Sequence, residues 1–207
     1  MLQYITNTDC QTPVADQIHS VIDGGCRWIQ IRMKEATDEE IGQVVEAVRK
    51  HCEDTGTFLL LDDRVELAKE LNVGGVHLGK EDMPCSRART ILGPAAVIGV
   101  TANTIGDIEA VRYMDIDYIG IGPYSATTTK KRLAPILGLE GIKGICAEME
   151  TKEINIPRVA VGGIKLEDIE PLLRAGVNGF AVSGAIAFAS DITGETRKFI
   201  ERMPVGE

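Results

Sequence analysis

Eight short apolar segments, each followed by a stretch with helical spacing, recur along the 207 residues of the chain. The segments are too short for buried helices and are bounded by turn-forming residues, so we interpret them as strands. The predicted strands are 3–6, 28–32, 58–61, 76–78, 96–100, 118–121, 158–161 and 179–182. The predicted helices are 12–22, 37–53, 64–71, 84–92, 104–113, 139–149, 166–175 and the remainder of the chain to 202.

Strands that alternate with helices pair in parallel through right-handed crossovers. Eight such units predict a (β/α)8 TIM barrel that forms one domain, residues 1–207, at the small end of the size range for this fold. The main alternative is a doubly wound open sheet. We disfavour it because no Gly-x-Gly-x-x-Gly follows any predicted strand.

The charge of the chain restricts its partners. The formal net charge is -9 and the sequence pI is about 4.9, so the chain lacks the cationic face that binding to nucleic acid requires. An anionic ligand therefore needs a local binding site rather than a favourable global field. The oligomeric state stays open, with a homo-oligomer as one alternative.

The cysteines and the first residues indicate where the protein works. Five scattered cysteines without a Cys-x-x-Cys pair favour reduced thiols over disulfides or a zinc site. The chain starts without a basic region or a long apolar segment, so we expect no signal peptide and no membrane span. Together these features predict a cytoplasmic protein.

The stretch from 58 to 82 places two carboxylates at one edge of the predicted sheet. A strand ends in Asp62 and Asp63, a helix crosses over, and the next strand ends near Asp82. The carboxyl ends of parallel strands are where such folds place their chemistry. Carboxylates without thiolate or imidazole neighbours suit a hard cation, so we predict Mg²⁺ at Asp63 and Asp82.

The other strand ends form two candidate anion sites. The first combines the carboxylates with three cations, Arg32, Lys34 and Lys130, which suits a diphosphate better than a single phosphate. The second contains bare glycine backbone and a serine, a composition common in the phosphate sites of these barrels. Its residues are Gly162, Gly163, Ser183 and Gly184. Two such sites indicate two phosphorylated substrates, or one substrate phosphorylated at both ends.

Each of these residues also has an ordinary structural interpretation. Asp63 is a suitable helix cap, Asp82 a turn residue, Lys34 a solvated lysine, 127–129 a polar loop, Gly162-Gly163 a turn and His77 a satisfied core histidine. The joint occurrence of anion and metal chemistry at six strand ends favours the functional interpretation.

Short motifs from the second to the eighth strand resemble those of the thiamine-phosphate synthase family, in the same order along nearly the whole chain. The matching segments are 30–34, 62–64, 75–82, 98–101, 117–123, 127–130, 160–164 and 181–183. The resemblance implies a Mg²⁺-dependent transferase with two small-molecule substrates. A hydroxymethylpyrimidine diphosphate would lose pyrophosphate, the nitrogen of a carboxythiazole phosphate would attack, and decarboxylation would give thiamine phosphate.

The resemblance also assigns the residues. The pyrimidine diphosphate would be bound by Gln30, Arg32, Lys34, Asp62, Thr101 and Lys130, and among these Lys130, Arg32 and Thr101 would act in catalysis. The thiazole phosphate would be bound by Thr127, Thr128, Thr129, Gly163, Val182 and Ser183. Asp63 and Asp82 would bind the metal. The chain departs from the family pattern at Asp62, usually Asn, and at Thr101, usually Ser, as well as at Met33 and Lys80.

Three other functions stay open at this point. Thiazole tautomerase relatives share the barrel and the thiazole phosphate pocket but do not need the diphosphate and metal half. A sugar-phosphate epimerase or isomerase requires a general acid and a general base at the carboxyl ends of the strands, for which only His77 and the aspartates are available. A phosphate-binding barrel without turnover would bind both ligands and release no product.

Overall fold

A computed structural model describes residues 1–126 and 135–203 and contains a closed barrel of eight parallel strands in sequential order. The last strand closes the barrel by pairing with the first, through Leu2 and Phe180. The predicted (β/α)8 barrel is therefore confirmed. No described helix combines the length and apolar composition that spanning a bilayer requires.

The strands are β1 (Leu2–Ile5), β2 (Trp28–Ile31), β3 (Phe58–Asp62), β4 (Gly75–Leu78), β5 (Val97–Ala102), β6 (Tyr118–Ile121), β7 (Arg158–Val161) and β8 (Gly179–Val182). The helices are α1 (Val14–Asp23), α2 (Asp38–Thr55), α3 (Val65–Glu70), α4 (Cys85–Leu92), α5 (Ile105–Val111), α6 (Gly138–Thr151), α7 (Ile169–Arg174), α8 (Gly184–Ala187) and α9 (Ile192–Glu201).

Two predicted boundaries are wrong in an informative way. The last predicted helix is two helices, because Asp191 starts α9 and its side chain accepts a hydrogen bond from the Gly194 N–H. Strand β5 extends through Thr101, which therefore lies within the strand rather than after it. Helix α2 starts where predicted to within one residue, at a capping box in which Thr37 and Glu40 each accept from the other's backbone N–H.

Alternation along the strands separates two apolar layers. Leu60, Tyr118, Val159 and Ala181 form a small cluster inside the barrel, while their strand neighbours pack against the helices in a much larger cluster. Tyr118 is 3% exposed and meets Trp28 edge to face, with ring centroids 4.8 Å apart. This inner cluster closes the barrel below the carboxyl ends of the strands.

A glycine makes room for Tyr118. Gly99 on β5 lies opposite Tyr118 on β6, and a Cβ atom at Gly99 would lie 2.0 Å from Tyr118 Cζ. We expect Gly99→Ala to lower the free energy of unfolding by about 3 kcal/mol, because the Tyr118 ring has to move in a filled interior.

The matched control for Gly99→Ala is Gly144→Ala. Gly144 lies inside α6, and a Cβ atom there would meet nothing within 4 Å. The free energy of unfolding of this variant should rise by about 1 kcal/mol, because alanine has a higher helix propensity than glycine. Urea unfolding of both variants measures the difference, and equal stabilities would contradict the packing argument.

Candidate active site

A cavity of about 930 Å³ opens at the carboxyl ends of the strands, and every strand contributes to its walls. Eight of the predicted site residues line it: Gln30, Arg32, Lys34, Asp62, Asp82, Thr101, Gly163 and Ser183. The predicted residues Thr127, Thr128, Thr129 and Lys130 lie outside the described residues. The structure therefore brings together the candidate groups of both anion sites in one cavity.

Asp62 is the centre of the cationic side of this cavity. Its Oδ1 accepts a hydrogen bond of 2.7 Å from Gln30 Nε2, and its Oδ2 lies 2.8 Å from Lys34 Nζ and 3.5 Å from Arg32 Nε. The side chain of Asp62 is only 11% exposed, so its charge depends on these partners. The three side chains predicted to bind a diphosphate are thus held around one carboxylate.

Lys34 is fixed in its charged form. Partial burial on its own would lower the pKa of Lys34, but the Asp62 carboxylate and then Asp63 outweigh it, so the pKa is raised. Its ammonium lies 2.5 Å from Asp63 Oδ2 as well as 2.8 Å from Asp62 Oδ2. The interpretation of Lys34 as a freely solvated lysine is therefore wrong.

Asp63 lies just outside the cavity wall and has a left-handed backbone, with φ of 58°. Few residues adopt this region, and Asp and Asn do so more readily than most. Its carboxylate contacts Lys34 and, at 3.3 Å, Arg64 Nε. The N-cap of α3 is Arg64, without a side-chain cap, so Asp63 does not serve as the cap of that helix.

The carboxylates fit the predicted Mg²⁺ in the chemistry of their oxygen atoms. The oxygens of Asp62 and Asp63 converge on one position that the Lys34 ammonium fills, which shows that a cation is stabilised there. Asp82 lines the cavity from the next loop, and its Oδ2 accepts a 2.6 Å hydrogen bond from Gly79 N–H. Among the described residues no three or more metal-binding side chains cluster, so an ion here would keep water or substrate oxygens.

Thr101 is connected to a chain of polar side chains across the barrel interior. Its hydroxyl is 2.9 Å from His77 Nε2, His77 Nδ1 is 2.9 Å from the Tyr118 hydroxyl, and Gln3 Nε2 donates to that hydroxyl at 3.0 Å. A Tyr118 hydroxyl that accepts from Gln3 can donate its own proton to His77 Nδ1, and we infer this arrangement, in which the His77 proton is on Nε2. His77 would then donate to Thr101, whose own proton is left for a ligand.

Sequence reasoning treated His77 as a core histidine and did not identify Gln3 or Tyr118. His77 is hydrogen-bonded through both ring nitrogens, as a satisfied core histidine should be, and it also lines the cavity. The polar residue Gln3 lies on an otherwise apolar strand, facing the interior together with Ile5. An inward-facing polar residue in a buried strand was the signal that could have identified it.

Gly163 and Ser183 lie in the cavity wall at the ends of β7 and β8. Gly163 has φ of 67°, and a Cβ atom there would lie 2.2 Å from Ser125 Oγ and 2.7 Å from Ala126 O. Ser125 Oγ also donates to the Gly163 carbonyl at 2.9 Å. Gly163 is therefore required by the contact between two loops, whatever it binds.

The structure changes two details of the predicted phosphate site. The Val182 side chain packs in the layer between barrel and helices and does not line the cavity, so only its backbone is available to a ligand there. Helix α8 has just four residues. The Ser183 hydroxyl and the local backbone N–H groups, rather than a long helix dipole, are the groups that an anion would meet.

Comparison with known proteins gives a consistent result. The family model described as thiamine monophosphate synthase matches residues 2–186. The chain is 49% identical over 199 residues to the thiamine-phosphate synthase of Bacteroides thetaiotaomicron, covering 96% of this chain and 95% of that protein. It is 41% identical over 185 residues to that of Flavobacterium psychrophilum, covering 89% and 90%.

A solved structure shares the fold closely. Thiamine phosphate pyrophosphorylase from Pyrococcus furiosus aligns with a TM-score of 0.85 and 29% identity, covering 97% of this chain and 94% of that one. The family model, the curated relatives and the solved structure thus agree with one another, and each match covers nearly the full length of the chain.

The hydrogen-bond chain predicts the tautomer of His77. For the neutral ring of His77 we expect the ¹⁵N spectrum to show the proton on Nε2, and Tyr118→Phe to lose this preference because the proton donor to Nδ1 is removed. The chain has three histidines, so His77→Gln assigns the signal. A wild-type spectrum with the proton on Nδ1 would contradict the assignment.

Proposed function

The chain belongs to the thiamine monophosphate synthase family, and from this premise we propose how its cavity carries out the reaction. As a thiamine-phosphate synthase the protein is a transferase of thiamine biosynthesis. It couples hydroxymethylpyrimidine diphosphate with carboxythiazole phosphate to give thiamine phosphate, pyrophosphate and CO₂. The family and the curated relatives do not favour the tautomerase alternative or a barrel that binds without turnover.

One observation carries the proposal: the described groups of both candidate anion sites line a single cavity, at the ends of different strands. The cationic group around Asp62 lies at the ends of β2 and β3, while Gly163 and Ser183 follow β7 and β8. In the closed barrel β3 and β7 are four strands apart, so they lie on opposite sides. Two substrates bound in this way would direct their reacting rings towards the middle of the cavity.

We assign the diphosphate to the cationic side. Gln30 is held by Asp62 before an anion binds. The cations Arg32 and Lys34 are kept beside it by the same carboxylate. As the C–O bond to the pyrimidine methylene breaks, its electron pair moves onto the diphosphate oxygen, and these cations stabilise the increasing charge. The Thr101 hydroxyl, oriented by His77, would donate a hydrogen bond on the same side.

The thiazole nitrogen then forms a bond to the cationic pyrimidine methylene carbon. The C–CO₂⁻ bond breaks, its electron pair stays with the thiazole part, and uptake of one proton from solvent gives thiamine phosphate and CO₂. Gly163 and Ser183 would hold the phosphate end of the thiazole, which fixes the direction of attack. Inner residues such as Tyr118 and Val159 form an apolar floor that limits access of water to the reactive cation.

We propose Asp63 and Asp82 as the residues that hold Mg²⁺ together with the diphosphate. Bound Mg²⁺ would supply neutralisation of the diphosphate charge. Lys34, which pairs with Asp62 and Asp63 in the structure, would contact the diphosphate once Mg²⁺ replaces it beside these carboxylates. A cytoplasmic location is part of the proposal, in agreement with the five free cysteines.

The direct test is pyrophosphate release. Both phosphorylated substrates are mixed with the protein, with and without Mg²⁺, and pyrophosphate is assayed. We expect release only when both substrates and the metal are present. Binding of both substrates without any release would support the non-enzymatic alternative instead.

Asp63→Asn is the sharpest test of the metal assignment, since Asn tolerates the left-handed backbone at this position and removes only the charge. We expect at least about a hundredfold loss of activity, the scale of losing one electrostatic contact in a transition state. Mn²⁺ binding in the presence of diphosphate, followed by electron paramagnetic resonance, should weaken in parallel.

The control for this variant is Asp54→Asn. Asp54 lies on the outer helix α2, paired with Lys50, and its replacement should change neither quantity. Unchanged Mn²⁺ binding in Asp63→Asn would remove Asp63 from the metal site.

Lys130 provides a second test. The ammonium of Lys130 should stabilise the departing diphosphate, so Lys130→Ala should lower kcat by about a hundredfold or more with a smaller change in KM. The adjacent lysine offers a matched control, Lys131→Ala, which removes the same charge one position along. A normal kcat for Lys130→Ala, or equal losses in both variants, would exclude the specific role of Lys130.

A further inference from the structure

Asn7, which follows β1, is 2% exposed and belongs to a buried polar network. Its backbone N–H donates to Gln17 Oε1 at 3.0 Å, and its carbonyl accepts from Gln17 Nε2 at 2.7 Å. The Tyr4 hydroxyl donates to the same Gln17 Oε1 at 2.6 Å. Tyr4 and Gln17 are both 0% exposed, so the position of Asn7 is fixed from the inside of the protein.

The orientation of the Asn7 side-chain amide follows from its partners. Its Oδ1 accepts a 2.8 Å hydrogen bond from the backbone N–H of Asp9, which can only donate. The other amide atom must therefore be Nδ2, and this atom lies 3.2 Å from Ser183 Oγ. Asn7 donates to Ser183, and Ser183 Oγ accepts.

This direction has a chemical consequence at the cavity. The Ser183 hydroxyl accepts from Asn7 on its buried side, so its own proton is directed elsewhere. Ser183 lines the cavity at the end of β8, within the candidate phosphate site, where an anionic group would need a donor. Without the Asn7 amide, the Ser183 hydroxyl could equally point its proton towards the buried side. It would then present only lone pairs to an anion in the cavity.

We propose that Asn7 is a positioning residue that holds the Ser183 hydroxyl as a hydrogen-bond donor to the phosphate of the thiazole substrate. This inference rests on the proposed function for the identity of that substrate. Asn7 itself does not line the cavity. It acts through Ser183, and the serine is the group that meets the ligand.

The principal variant is Asn7→Asp, which keeps an oxygen for the Asp9 N–H but has no hydrogen to donate to Ser183. We expect the KM for the thiazole phosphate to rise about tenfold or more, the scale of one hydrogen bond to a charged group. The KM for the pyrimidine diphosphate should stay within about twofold, since its proposed groups follow β2 and β3 and do not include Ser183. If Asn7 had a purely structural role, its replacement would raise the KM for both substrates or would only lower the melting temperature.

The matched control is Tyr4→Phe. It removes one hydrogen bond from the same buried network and leaves the contact between Asn7 and Ser183 in place. We expect Tyr4→Phe to lower the melting temperature without changing either KM. An equal rise in the KM for the thiazole phosphate in both variants would overturn the inference in favour of general loosening.

A double-mutant cycle tests whether Asn7 acts through Ser183. Asn7→Ala, which leaves room for water, is combined with Ser183→Ala. The double variant should have the same KM for the thiazole phosphate as Ser183→Ala alone. Additive effects would overturn the inference. Asn7→Ala also replaces Asn7→Asp as the principal variant if the buried charge prevents folding.

Calorimetric titration with the thiazole phosphate alone separates this inference from the proposed function. If wild-type protein releases no pyrophosphate, the proposed function fails, and weaker thiazole phosphate binding in the Asn7 variants would still support the positioning role. If wild-type protein is active and the variants bind the thiazole phosphate as tightly as it does, the inference fails and the proposed function stands.

Discussion

Closure of the eight-stranded barrel directs every second strand side chain into one shared interior, and the rest of the site depends on this constraint. At the lower level the interior is filled by Leu60, Tyr118, Val159 and Ala181. At the carboxyl ends the inward positions carry polar groups such as Gln30, Asp62 and His77. Polar groups in a low-dielectric interior are costly unless they form hydrogen bonds or ion pairs with one another. Each half of the cavity is therefore an ordered polar network before a ligand binds.

On the cationic side, the pairing of opposite charges keeps the anion-binding groups in place. Lys34 is held between Asp62 and Asp63 at 2.8 and 2.5 Å, and Gln30 is bound to the other oxygen of Asp62. The chain as a whole has a net charge of -9, so attraction of an anionic substrate depends on this local group.

Two hydroxyl groups of the cavity, those of Thr101 and Ser183, are supported in the same way. Thr101 is bonded to a ring nitrogen of His77, and Ser183 accepts from the amide of Asn7. In both cases the supporting residue is itself fixed by a second buried group, Tyr118 or Gln17. Neutral donors oriented in this way are pre-organised for anions without the desolvation penalty of additional buried charges.

The sequence alone determined the barrel, because periods of two and 3.6 residues are local properties and eight alternations of them leave few topologies. It located the β6, β7 and β8 strands at their observed bounds, and it identified the strand ends that carry chemistry. It missed the break before α9, although Asp191 is a recognisable cap. Only the tertiary structure decided that Lys34 joins Asp62 and Asp63, that the Val182 side chain faces the helices, and that Asn7 reaches Ser183. Asn7 and Ser183 are 176 positions apart, and contacts over such separations arise from barrel closure, which no local pattern records.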